Sequence, residues 1–439
     1  MQALLSFDQA PPLSAPLRFF LTAPLFALLA GGLLLWSGPE LLASRWTAPA
    51  LALTHLITVG FMMQVMLGAM QQLLPVMAGA NIARPRLVAS VVHGAITLGA
   101  LSLVSAFLWP QPWLFGAAVL CMGLGVGVFV VAAAHALYGV PTTNPIIRGL
   151  RLALVGLCVT VSIGLLLAVA LGWSHVLPLA QLTNIHLGWG FVGWGSAMLG
   201  AVGFVAVPMF QQTPAYPGWF GRSYALLTLV LVVLWTTAEL CGWTEGAAVL
   251  SVGVVLMAAS FALATLRLQR RSKRPRMDAV QRLWQLAMCS ALLACALWLL
   301  TRLVPALDQW SRWPLLFGAL ILVGGFMSVM VGMLYKIVPF LVWLHLQNRG
   351  RGLLAAPHMK KVLAERHING QMWAHFCAFG LLVLAVVWPQ GFSYPAGVAL
   401  IVANAWLLRN LLSALGVYRR HLAELRALEQ GARPPAPLR

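Results

Sequence analysis

The chain has 439 residues, of which 61% are hydrophobic and only 8% are charged. Charged residues make up about a quarter of a soluble domain, so this composition excludes a soluble globular protein for most of the chain. The apolar residues form continuous blocks of roughly twenty residues, which suits membrane-spanning helices and not the alternating strands of a membrane barrel. We therefore predict an all-α, polytopic membrane protein with about 12 transmembrane helices.

Basic residues in the short connections between the apolar blocks account for the formal net charge of +19. Their placement indicates membrane topology and not a nucleic-acid surface. Most of them fall in alternate connections, for example the run from Arg267 to Arg276, whereas the other connections hold only Arg45 and Arg312, with Arg302 near a span end. Basic residues near span ends resist translocation, so we expect both termini in the cytoplasm and a bacterial inner membrane.

The spans are predicted near 18–36, 48–75, 87–109, 113–138, 149–172, 182–208, 223–243, 246–266, 280–305, 314–340, 370–389 and 393–416. Residues 1–17 are then a cytoplasmic N-terminus, 18–416 a single transmembrane domain and 417–439 a basic cytoplasmic tail. The first span is interpreted as a retained anchor, because no convincing cleavage site follows it.

An internal repeat is indicated in the second, sixth and tenth spans. Each contains a proline with a glycine fifteen residues before it. A second glycine lies seven residues before the proline in two of these spans and is displaced by one residue in the sixth. The pattern predicts three pseudo-symmetric four-helix units, although glycine and proline also occur wherever membrane helices pack closely. The residues are Gly60, Gly68 and Pro75; Gly193, Gly200 and Pro208; and Gly324, Gly332 and Pro339.

Two histidines, His55 and His186, lie one or two turns inside the second and sixth spans. Ionisable groups inside a membrane are costly and usually have a partner. Neutral imidazole is also a common ligand of haem iron and copper, so both residues are candidate cofactor and metal ligands. The alternative is a histidine bonded to a backbone carbonyl in a tight helix contact. Trp189 and Trp194 beside His186 are candidates to flank a planar cofactor, or ordinary interfacial tryptophans.

Methionines recur at helical spacing on the second and tenth spans. Thioethers bind copper(I) and serve as axial haem ligands, whereas methionine stripes also act as adaptable packing. Met327 and Met330 are retained as candidate cofactor ligands. Lys336 is the single lysine predicted within a span, with snorkelling to the surface as its simpler explanation. No paired carboxylates, phosphate-binding loop or serine-nucleophile motif is present, so no catalytic residue is predicted.

The segments THLITVGFMMQVMLGAMQQLLPV and IHLGWGFVGWGSAMLGAVGFVAVPMF of the second and sixth spans resemble catalytic subunit I of haem-copper oxidases, particularly the cbb3-type branch. The NnrS family of twelve-span haem- and copper-containing proteins is similar in plan. The resemblance implies three four-helix arcs around pores that hold haem and copper. His55 matches the position that binds a low-spin haem, and His186 falls near a copper-ligand position.

The other ligand motifs of that family are absent. The seventh span, SYALLTLVLVVLWTTAELCGW, has no adjacent histidine pair, and the tenth has no HxH. A standard oxygen-reducing centre is therefore not expected. The resemblance instead implies a haem b- or copper-binding protein of respiratory redox chemistry or the nitric oxide response, with Met327 or Met330 as a substitute ligand. The alternatives are a metal-free scaffold or assembly factor that contacts another respiratory membrane subunit, and a secondary transporter.

Overall fold

The computed structural model describes residues 9–141, 145–350 and 354–430. Within them, 12 helices are long and apolar enough to span a membrane, which confirms the predicted polytopic all-α fold. We number them α1 (Ser14–Ala43), α2 (Ala48–Ala78), α3 (Pro85–Leu108), α4 (Pro112–Leu137), α5 (Pro145–Gly172), α6 (Leu179–Gln211), α7 (Gly218–Leu240), α8 (Thr244–Gln269), α9 (Ala279–Leu303), α10 (Trp313–Gly350), α11 (Glu365–Val387) and α12 (Pro389–Glu429).

Proline and glycine set several helix ends. α3, α4, α5 and α12 each begin with proline, whose missing N–H is not needed in the first turn of a helix. α2 ends at Ala78, and the residue after it, Gly79, has a positive φ of 63°. Its N–H donates to the carbonyl of Pro75 at 3.0 Å, and the N–H of Ala80 donates to that of Leu74 at 3.0 Å. These two bonds satisfy the last carbonyls of the helix.

Two helices end ten or more residues past their predicted spans. α10 continues to Gly350, and α12 continues to Glu429, so residues 417–429 of the predicted tail are helical. Hydropathy marks where a helix leaves the apolar layer, whereas backbone hydrogen bonding determines where the helix ends. Residues 431–439 of that tail and residues 1–8 of the predicted N-terminus lie outside the described residues.

Three helices occupy the centre of the described bundle. α10 contacts α2 along their middle turns, and it meets α6 where the ring of Phe326 lies against Gly195. The other helices form a closed ring in the order α1, α3, α4, α5, α7, α8, α9, α11, α12, and α12 packs against α1. Burial agrees with this arrangement. In the most apolar stretch of each helix, 72% of the residues of α2 are buried, against 17% of those of α8. The same pairs of neighbours recur at a spacing of four helices, for example α3–α4, α7–α8 and α11–α12, as expected for a four-helix repeat.

Each central helix contains a π-helical segment. All three segments are eight residues long, and each begins nineteen residues before the proline of its own helix. π-Helices are rare and often occur at functional sites. The shared register supports the repeat and places the three widened turns at corresponding positions of the three helices. The segments are Leu56–Met63, Trp189–Ser196 and Leu320–Met327.

Candidate functional site

A cavity of about 1060 Å³ lies among the central helices, and both candidate histidines line it. Its volume is at the upper end of the range for small-molecule and cofactor sites, about 300–1,000 Å³. Most of its wall is apolar. Arg45, Gly242 and Arg302 line its outer end and lie in or beside the α1–α2, α7–α8 and α9–α10 connections. We call this outer end the mouth.

His55 is the residue directly before the π-helical segment of α2. Its Nδ1 lies 2.8 Å from the carbonyl oxygen of Leu51, one turn earlier, so Nδ1–H donates to that oxygen. In a neutral imidazole the other nitrogen, Nε2, then carries a lone pair. The ring also packs against Phe107 of α3, with the ring centroids 5.0 Å apart. No hydrogen bond to Nε2 is formed by the described residues.

His186 is positioned by α5. Its Nδ1–H donates to the carbonyl oxygen of Thr160 at 3.0 Å, and its ring lies over Gly164, where an added Cβ would be 2.9 Å from Cε1. α5 can approach α6 this closely because Gly156 has no side chain. A Cβ there would lie within 2.1 Å of the carbonyl oxygen of Gly193. Nε2 of His186, like that of His55, has no hydrogen-bond partner among the described residues.

The two imidazoles line one cavity, and we refer to them as the histidine pair. A backbone carbonyl fixes Nδ1 of each ring, which is how metal-binding histidines are commonly oriented. Among the described residues, no group of three or more His, Cys, Asp or Glu side chains could hold a metal ion. Two imidazoles suit haem iron, whose four equatorial ligands come from the porphyrin, or a copper ion of low coordination number.

The methionine candidates lie elsewhere. Met327 and Met330 are buried in the core, at 0% and 7% exposure, and neither lines the cavity. The neighbouring residues Phe326 and Val329 do line it, so both methionines face another side of α10. The structure thus does not bring the proposed substitute ligands to the histidine pair.

Trp194, one of the two tryptophans considered above, lines the cavity. The other, Trp189, packs against Val232, and its Nε1–H donates to the hydroxyl of Thr236 at 2.9 Å. It is therefore a structural residue that ties α6 to α7.

A polar group that the sequence did not indicate lies deeper in the cavity. The hydroxyls of Tyr224 on α7 and Ser196 on α6 are hydrogen-bonded at 2.7 Å. Both residues line the cavity, as do Cys295 and Met288 of α9. A tyrosine or a cysteine alone in an apolar span gives no sequence signal of a site. The spacing of seven residues between Met288 and Cys295, which puts both on one helix face, was the one available indication.

The mouth carries three charged side chains: Arg45, Glu239 and Arg302. The Arg45 guanidinium donates to Oδ1 of Asn184 at 3.1 Å and lies 4.5 Å from the ring centroid of Trp46. Burial lowers the pKa of Arg45 from its ordinary value, because the charged form is partly removed from water. The Arg302 guanidinium lies 4.8 Å from the ring of Trp298.

Lys336 lies far from the mouth, near the opposite face of the bundle. Its Nζ is 2.9 Å from Oδ2 of Asp278, which also pairs with Arg274. Burial by itself would raise the pKa of the Asp278 carboxyl, but Lys336, the N–H of Gln281 and Arg274 together hold it below the usual value. Lys336 is therefore an ion-pair partner that links α10 to the start of α9.

The fold and the cavity define a polytopic helical membrane protein with a cavity among its central helices that two histidines line. No family model matches the chain, and no curated protein matches it. What the site binds must therefore be inferred from its geometry and from the sequence motifs.

Proposed function

We propose that the protein binds haem b, or copper as the second choice, at His55 and His186. The observation that carries this proposal is the pair of imidazoles in one cavity. Nδ1 of each is held by a backbone carbonyl, and Nε2 of each has no hydrogen-bond partner in the described parts of the chain. A haem needs one or two axial ligands from the protein, and imidazole nitrogen is a common one. Bound haem would supply one-electron chemistry to the protein.

The cavity walls also suit the apolar macrocycle of a haem. Phe107, Phe191 and Trp194 give it aromatic walls, and its volume exceeds what a drug-sized molecule requires. Gly164 leaves space for the ring of His186, because a Cβ there would lie 2.9 Å from its Cε1. In this proposal the chain orients the two imidazoles, excludes water with an apolar wall and leaves access through the mouth.

The proposed role is in respiratory redox chemistry or in handling nitric oxide, within a bacterial inner membrane. A ring of helices around three central ones supports a relationship with subunit I of haem-copper oxidases. Tyr224 and Trp235, not a histidine pair, line the cavity from α7. Oxygen reduction by a haem-copper pair is therefore not part of the proposal.

We infer that the mouth faces away from the cytoplasm and that both chain ends lie inside. Twelve spans put the two ends of the chain on one face. That face carries the basic run from Arg267 to Arg276, together with Lys360 and Lys361. The mouth face carries Arg45, Arg302 and Arg312, and this difference follows the positive-inside rule.

The test is an absorption spectrum of the purified protein, oxidised and reduced with dithionite, with iron and copper measured on the same sample. We expect a Soret band that is lost or shifted in His55→Ala and in His186→Ala. The control is His135→Ala, because His135 is exposed on the outer helix α4. It should leave the spectrum unchanged.

A folded wild-type protein without colour or metal would overturn the proposal. A metal-free scaffold for another respiratory subunit, or a transporter, would then take its place. Copper without a Soret band would keep the histidine pair as the site and replace the haem by copper.

A further inference from the structure

None of the three arginines on the mouth face has an acidic partner within the described structure. Arg312 differs from the other two, because its guanidinium donates to the carbonyls of Val386 and Val387 at 3.3 and 3.2 Å at the end of α11. Arg45 and Arg302 enter none of the described ion pairs. These two line the cavity, and Arg312 does not.

Tryptophan rings hold both guanidinium groups, at 4.5 Å from Trp46 and 4.8 Å from Trp298. Stacking on an aromatic face fixes the plane of a guanidinium and leaves its N–H groups at the edge, where they match a carboxylate. Arg45 donates one N–H of Nη2 to Asn184, and its other N–H groups have no hydrogen-bond partner among the described residues. Arg45 is also half-buried. A cation that is partly removed from water is costly unless it meets an anion.

The rest of the described cavity wall has no charged side chain. Below the mouth its polar side chains are neutral, and the wall is mainly alkyl and aromatic. Glu239 adds one negative charge at the mouth, but two arginines leave the mouth net positive. The charge pattern thus matches a ligand with an apolar body and acidic groups on one edge.

We infer that Arg45 and Arg302 bind the carboxylates of the cavity's ligand, so that the ligand lies with its apolar body towards the histidines and its acidic edge at the mouth. This inference rests on the proposed function. Haem b has two carboxylates on one edge of an apolar macrocycle, whereas a copper ion has no such edge. The two arginines are therefore anchoring residues for the acidic edge and set the orientation of the ring.

The test compares haem b with its dimethyl ester, which lacks both negative charges. Protein from haem-depleted cells is titrated with each compound in the same detergent, and the dissociation constant is obtained from the Soret absorbance. We expect wild-type protein to bind the diacid at least tenfold more tightly than the ester. Arg45→Gln should weaken diacid binding about tenfold, and Arg302→Gln about threefold, because Arg302 is more exposed.

Neither substitution should change binding of the ester, because the ester has no charge for either arginine to bind. Arg312→Gln is the matched control, since it removes a positive charge from the same face but not from the cavity. Size-exclusion profiles of all variants verify that they remain folded.

The outcomes separate this inference from the proposed function. Equal affinity of wild-type protein for diacid and ester would overturn the role of the arginines and leave the haem site in place. Loss of diacid affinity in Arg312→Gln as large as in Arg45→Gln would also overturn it, because a general charge effect would then explain the data. Failure to bind either compound would overturn the proposed haem site and this inference together.

Discussion

Small residues on a neighbouring helix determine where the His186 ring can lie. Gly164 of α5 is in contact with the ring, and the carbonyl of Thr160, one turn earlier, accepts its Nδ1–H. A methyl group at position 164 would lie 2.9 Å from Cε1 and would require the ring to move. The orientation of His186, a candidate ligand, therefore depends on Gly164, which has no side chain.

We expect Gly164→Ala to weaken haem binding about tenfold, because moving the ring stretches the hydrogen bond that orients it. The measurement is a Soret titration beside a thermal unfolding curve. Gly127→Ala on α4 is the control, since an added Cβ there has no neighbour within 4 Å. Identical titrations for the two variants would show that the ring position does not depend on Gly164.

The sequence predicted part of this site. His55 and His186 could be selected because a histidine inside an apolar span costs free energy and usually has a partner or a function. Met327 and Met330 were selected by spacing, which defines a stripe on one helix but not the neighbour that the stripe faces. Arg45 gave no signal of a ligand site, because its place beside the cavity depends on helix packing, which brings it to Asn184 of α6.

At the scale of helices, the apolar blocks predicted all the spans but not the π-helical segments within three of them. A π-turn and an α-turn can have the same composition, and the choice between them depends on packing against neighbours. The glycine and proline spacing of α2, α6 and α10 did indicate that these helices correspond. The extension of α12 to Glu429 was missed because hydropathy falls where the helix leaves the apolar layer.

Helix ends also depend on single polar residues, as Asp278 shows. Its Oδ1 accepts the N–H of Gln281 at 2.9 Å, which caps the start of α9, and its Oδ2 pairs with Lys336 of α10. The Asp278→Asn variant keeps an N-cap side chain but loses the ion pair. We expect a loss of about 1 kcal/mol in the free energy of unfolding at neutral pH, since the pair is about one quarter exposed.

The same pair predicts a pH dependence. The pKa of Asp278 is lowered in the folded protein, so its contribution is complete above the unfolded value of about 3.9 and is lost as the pH falls through the folded pKa. Thermal unfolding at pH 7 and near pH 3 should therefore show a difference between wild type and variant that shrinks in acid. Asp308→Asn, at an exposed site, is the control. A difference that grows in acid would contradict the role of the ion pair.

For the whole molecule, the proposed orientation puts the mouth on the non-cytoplasmic side. Alkaline phosphatase fused after Ser174, in the α5–α6 connection, should then be active, and the same enzyme fused after Gln212, in the α6–α7 connection, should be inactive. Phosphatase folds only outside the cytoplasm, so its activity reports the side of each connection. The reverse pattern would place the mouth in the cytoplasm and contradict the positive-inside interpretation.

The contact that closes the ring joins helices far apart in the sequence. Gly31 of α1 and Gly397 of α12 meet so closely that a Cβ on either would lie about 3 Å from the other's carbonyl oxygen. A ribosome adds about 5–20 residues per second, so α1 waits roughly 20 to 80 s for the helix that covers it. Until then one side of α1 is uncovered, and lipid or an insertion factor must occupy it. The twelfth described span is thus the one that closes the ring of helices.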